Sequence, residues 1–155
     1  MRFLCLNHYE QMENESEQKL SEHIVRWLCL ANCHRQQGRD TTALNYCGCA
    51  FESACLLPVH FPEGDGYGPT LIALTAVCLS HQFRQLDKQT SAEQVIDQGC
   101  QQLSRFRQRD TASWRFSLKV LTHPSLWSDY CHYHLGFRLF RPSSDSTCGA
   151  FAMMH

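Results

Sequence analysis

Cysteine and histidine are the residues whose chemistry and spacing ask for explanation first: ten cysteines and nine histidines occur among 155 residues. The segment Cys29-Leu30-Ala31-Asn32-Cys33-His34 is a widened form of the haem-attachment pattern, which keeps only two residues between its cysteines. Attachment of that kind needs export, and the opening Met1-Arg2-Phe3-Leu4-Cys5-Leu6 is apolar over too few residues to read as a secretory signal. Zinc is the more serious alternative. Cys29, Cys33 and His34, with Cys47 and Cys49 across a hairpin, can in principle supply four nitrogen and sulfur ligands. Against it, the close-spaced cysteine pairs that flank a turn in zinc ribbons are absent, and Cys47-Gly48-Cys49 on a helix points its two thiols apart. Near the C-terminus, Cys131 and His134 share a helix face with Tyr130 and Tyr133 interleaved and Trp127 nearby. Both clusters read more simply as packing surfaces, cysteine serving as a small hydrophobe where helices meet. No metal ligand and no cofactor is assigned, and a structural zinc site stays as an alternative.

Catalytic signatures are missing. The sequence has no glycine-rich phosphate loop, no serine nucleophile elbow and no His-Glu-x-x-His helix. A Cys/His nucleophile pair can assemble from distant positions, but nothing marks one cysteine above the other nine. Glu10, Glu13, Glu15 and Glu17 cluster only in a polar lead-in. The expectation is therefore a protein that is not an enzyme. Fourteen basic and fifteen acidic residues give a net charge of -1, so no broad field draws the chain to nucleic acid or to an anionic membrane. The basic run Arg105-Phe106-Arg107-Gln108-Arg109 lies near a helix end, where cations answer the helix dipole. No stretch approaches the ~18 apolar residues of a membrane span. A cytoplasmic location follows as an expectation, in a compartment that keeps thiols reduced.

The elements that must position these residues are helices. Leucine, alanine and glutamine outweigh valine and isoleucine, a balance that favours helix over strand. Residues 1–15 read as a solvated polar lead-in and 16–140 as one helical domain; 141–155, rich in serine and without pattern, read as a flexible tail. From 16 to 37, Leu20, Ile24, Trp27, Leu28 and Ala31 recur at three-and-four spacing. Gly38 stops that helix, Asp40 is a candidate N-cap for a second reaching Leu57, and Pro58 closes it. A stretch rich in glycine and proline, 58–69, turns the chain around Glu63-Gly64-Asp65-Gly66. A third helix is expected over 70–86, and a fourth opens at a capping box, Thr90-Ser91-Ala92-Glu93. Asp110 or Thr111 caps a fifth through Leu121, and a short sixth runs from 126 to 140.

Two of the expected hairpins share a frame. Trp27, Leu30, Ala31 and His34 are followed by Gly38 at the turn and by Ala43, Cys47 and Ala50 on the second helix. Ala76, Leu79, Ser80 and Phe83 fall at the same offsets, with Asp87 at the turn and Ala92, Ile96 and Gly99 beyond it. Small residues thus recur where two helices touch. Over residues 24–104 this frame resembles the tetratricopeptide repeat, with Ala for its Gly and His for its Tyr in the first unit. The separation departs from that family: matching positions lie 49 residues apart rather than about 34. The resemblance implies an all-α, right-handed array of stacked hairpins, with five to six helices in all. It further implies a protein-interaction module, adaptor, chaperone-like or regulatory, that holds a segment of another protein in a groove lined by the first helix of each pair. The candidate groove residues are Arg26, Asn32 and Arg35 from the first unit and Thr75, Gln82 and Arg84 from the second. Two units leave an end face to cover, so self-association, as a homodimer through Trp114, Phe116, Trp127 and Phe137, is a third reading.

Overall fold

Helix is the only regular secondary structure among residues 2–63 and 66–139, which the computed structural model describes. The all-α expectation holds. The expected flexible tail lies outside the described residues.

The N-terminal stretch is not a solvated lead-in. It forms α1 (Leu6–Glu13), which buries Met12, while Leu4 just before it is buried as well. The segment is fastened at Phe3 and Leu4, whose backbone amides donate to the two carboxylate oxygens of Glu52 at 2.6 and 2.8 Å. Phe3 also fills the notch left by Gly48, where an added Cβ would fall 2.0 Å from its ring. Acidity therefore hid the anchor: the apolar contacts come from Phe3 and Leu4 ahead of the acidic run and from Met12 within it.

The long helix α2 (Glu17–Gln36) is capped by Ser16, whose hydroxyl accepts from the Lys19 amide at 3.2 Å. Its apolar stripe, Leu20, Ile24, Leu28 and Ala31, is buried against α3 (Asp40–Ala54). A short helix, α4 (Leu57–His60), carries a buried Pro58 at its start rather than ending the preceding helix there. The second hairpin is α5 (Tyr67–Gln85) and α6 (Gln89–Leu103). Then α7 (Ala112–Thr122) begins at Thr111, whose hydroxyl accepts from the Trp114 amide at 3.1 Å as the sequence suggested. A single 3-10 turn, Pro124–Leu126, leads into α8 (Trp127–Leu135), which ends at Gly136 with φ of 80°.

The two hairpins repeat in backbone detail. Gln36 and Gln85 end the first helices, and the second helices, Asp40–Ala54 and Gln89–Leu103, keep the same 49-residue offset. At the first turn, the Gly38 amide donates to Arg35 O at 3.0 Å and the Arg39 amide to His34 O at 2.9 Å. At the second, Asp87 donates to Arg84 O at 3.1 Å and Lys88 to Phe83 O at 2.9 Å. Each is the two-bond closure that satisfies the last carbonyls of a helix through a left-handed residue, here Gly38 at φ 76° and Asp87 at φ 57°. Two expected caps are corrected. Asp40 lies inside the first turn of α3, and Thr90 inside α6, because these closures draw the chain into the second helix at Arg39 and Lys88 with no side-chain cap.

Helix α5 sits at the centre, packed by α3, α6, α7, α2 and α8. Every residue from Gly68 to Ser80 is buried. A helix apolar around its whole circumference has to be enclosed, and the run Leu71-Ile72-Ala73-Leu74, with Val77 and Leu79, meets that description. Close approach to α6 is set by Gly99, whose hypothetical Cβ would lie 3.0 Å from Ala76 Cβ. Ser80 ties the pair by donating to Ala92 O at 2.9 Å.

Candidate functional site

The face that α2 and α5 share forms a groove, and the chain itself lies in it. Successive positions of α8 meet α5 in reverse order: Trp127 against Arg84, Cys131 against Cys78, His134 against Tyr67. Helix α8 therefore runs antiparallel along α5. Gly136 turns the chain, and Phe137, Arg138 and Leu139 come back towards Ser128, whose hydroxyl accepts from the Leu139 amide at 3.2 Å. Arg138 is held at its far end by Asp129. Leu139 is buried, and it and Phe137 share the groove with Leu28, Ala31 and Arg35 of α2 and with Cys78, His81 and Gln82 of α5; the space left over is ≈ 10 Å³. A sixth helix reaching residue 140 is thus corrected: α8 stops at Leu135, and residues 137–139 are not helical.

Arg35 is the polar centre of this arrangement. Only 9 % of its surface is exposed, yet it carries a permanent charge. Its Nη2 donates to the backbone carbonyl of Arg138 at 3.0 Å and to the side-chain oxygen of Asn32, and its guanidinium lies 5.8 Å from the Phe137 ring centre. Its Nη1 is buried without a hydrogen-bond partner among the described residues. A buried charge held by neutral acceptors alone is incompletely compensated.

The six candidate groove residues separate accordingly. Asn32 and Arg35 are brought together, one orienting the other. Gln82 lines the same groove but is 1 % exposed, its amide donating to Asp40 O at 3.1 Å and Asp40 Oδ1 at 3.3 Å, so it ties α5 to α3 and offers nothing to a partner. Thr75 is fully buried and donates back to Leu71 O at 2.7 Å. Both corrections have one cause: a central helix has no outward face to spare. Arg84 is half-covered by the Trp127 ring at 4.8 Å. Arg26 is exposed beside Gln18 and Glu22, away from the other five. The expected end face does not assemble either: Trp127 is buried with its indole N–H donating to Val120 O at 2.8 Å, Trp114 donates to Leu103 O at 2.7 Å, and only Phe116 of the four stands well exposed.

Among the described residues no three of His, Cys, Asp and Glu are grouped to hold an ion. Cys29 and Cys33 are exposed on α2, while the His34 ring stacks on Tyr46 at 5.3 Å. Cys47 is buried, and burial pushes its thiol well above the ordinary value. Cys49 instead donates to Phe3 O at 3.7 Å, its thiol pushed up to about 11 by burial and by the nearby Glu52 carboxylate. Cys131 faces Cys78 at 3.9 Å, a contact that together with burial pushes its thiol upward. His134 is ringed by Tyr67, Tyr130 and Tyr133 at 6.2, 4.6 and 4.9 Å, and burial lowers its pKa. For Cys47, Cys49, Cys131 and His134 these are the properties of packed, weakly reactive groups.

Arg138 and Leu139 were missed by the sequence reading, which named Phe137 only for an end face and not for this groove. Gly136 followed by an aromatic-x-leucine alternation was the available signal, since a left-handed glycine ends a helix and alternation marks extended chain with one face buried. No protein-family model matches the chain, and no curated protein or solved structure shows a significant likeness to it.

Proposed function

We propose that this chain is a protein-interaction module of tetratricopeptide-like build, binding a segment of another protein in the groove between α2 and α5. One observation carries the reading: Arg35, buried in that groove, holds the backbone carbonyl of a non-helical segment. Reading main chain through a fixed guanidinium is how a groove accepts a peptide without demanding one side chain. The frame shared by the two hairpins supports the same build, with α2 and α5 as the paired first helices. The proposal takes the chain to be a cytoplasmic binding protein, not an enzyme, with neither nucleic acid nor membrane as partner. Balanced charge and the abundance of thiols support that setting.

Selection of peptides from a displayed library against the full chain tests it. In the Phe137→Ala/Leu139→Ala chain, where no resident segment competes, selected peptides should bind about tenfold or more weakly once Arg35→Gln is added, the worth of one lost hydrogen bond to a charged group, and bind unchanged once Arg26→Ala is added. Peptides that bind both variants equally well would remove the groove from consideration.

A further inference from the structure

We infer that residues 137–139 are a resident stand-in for the partner, and that the partner presents an extended segment with an aromatic residue and, two positions on, a leucine. The inference rests on the groove reading above and narrows it to a class of ligand. Its ground is the way Phe137-Arg138-Leu139 is seated. Phe137 lies beside the Arg35 guanidinium, Leu139 is buried against α2 and α5, and the carbonyl between them accepts from Arg35 Nη2. The groove thus takes two side chains at i and i+2 of a non-helical segment, with the side chain between them left exposed.

The occupant satisfies the groove only in part. Arg35 Nη1 is buried and has no acceptor among the described residues. An intramolecular occupant enjoys a high effective concentration and needs few contacts to stay bound. A partner segment has to displace it by making better ones. It does so by presenting the same aromatic and leucine and by adding an oxygen acceptor that reaches Nη1. Gly136 is a suitable pivot for the exchange, since it carries a left-handed φ of 80° and an added Cβ there would meet nothing within 4 Å.

The probe is a capped, fluorescently labelled peptide of residues 133–139, added to the full chain and to the double variant Phe137→Ala/Leu139→Ala. Emptying the groove should raise affinity for the peptide about tenfold or more, and adding Arg35→Gln to the double variant should cancel the gain. Equal affinity for the parent and the double variant overturns the inference. So does equal binding of a control peptide with Ala at both anchor positions. A dimer of the parent that the double variant abolishes would assign the groove to a second copy, again overturning it. If the double variant does not fold, the parent serves: a saturating peptide should speed amide hydrogen exchange at Leu139, and unchanged exchange counts against displacement. Arg35-dependent peptides selected without the aromatic and leucine would defeat this inference while leaving the groove a peptide site. Loss of every Arg35-dependent binder would defeat both.

Discussion

At the scale of single residues, several of the histidines and cysteines that drew attention by type turn out to be governed by burial, while Cys29 and Cys33 stay exposed. His134 is the clearest case. Three tyrosine rings surround it and burial lowers its pKa, so the unfolded chain takes up a proton before the folded one does. Stability then rises with pH across the window between the depressed folded value and the ordinary value of about 6.5, and is lost as pH falls through it. Melting temperature should therefore drop from about pH 7.5 to about 5, and the drop should shrink in His134→Gln; identical slopes for the two proteins would show that His134 plays no part. Little of this was readable in advance. Cys131 and His134 were placed on one helix face, which is right as geometry, but a face does not say what stands opposite. Cys78 and Tyr67 stand opposite, from an element more than fifty residues earlier.

At the scale of elements, much more was legible, because helix signals are local. The expected helix over 16–37 is Glu17–Gln36, and of the two cap candidates Asp110 and Thr111 it is Thr111 that caps α7. The 49-residue frame was also visible, since small residues at helix contacts leave a sequence trace. Its sharpest expression was not: the turns match bond for bond, although one carries Gly38 and the other Asp87 in the left-handed region. Their energetics should differ in sign. Gly38→Ala meets no atom within 4 Å, so its cost is backbone strain alone, about 1 kcal/mol. Asp87→Gly relieves that strain and should stabilise by up to about 1 kcal/mol, less what the freer unfolded chain takes back. Urea unfolding of the two variants measures both, and the same sign for both would refute the equivalence of the turns. The helix α1 escaped notice for a related reason. Polar residues dominate its composition, while its attachment depends on two backbone amides meeting Glu52 and on Phe3 meeting a glycine on α3, contacts that no local pattern encodes.

At the scale of the molecule, α5 decides how the parts cohere. With α2, α3, α6, α7 and α8 all packed on it, the hairpins are not independent units, and unfolding should be one transition. Helix content and the fluorescence of Trp27, Trp114 and Trp127 should give coincident urea curves, and Leu74→Ala, at a fully buried position, should shift both by about 2–5 kcal/mol. Separated curves would mean that one hairpin stands alone. The occupied groove belongs to this scale as well, and that is why the sequence did not disclose it: Arg35 and Arg138 are 103 residues apart, and the bond between them exists only after α8 has been laid along α5. The same centrality has a consequence for synthesis. A nascent chain grows from its N-terminus, so α2 and α3 emerge before the helix that covers them has been made. Until residue 85 clears the ribosome, the α3 face holding Cys47 and Phe51, which line clefts with Cys78 and Leu79 of α5, lacks that cover, and the early hairpin is a client for whatever shelters apolar surface at the tunnel mouth.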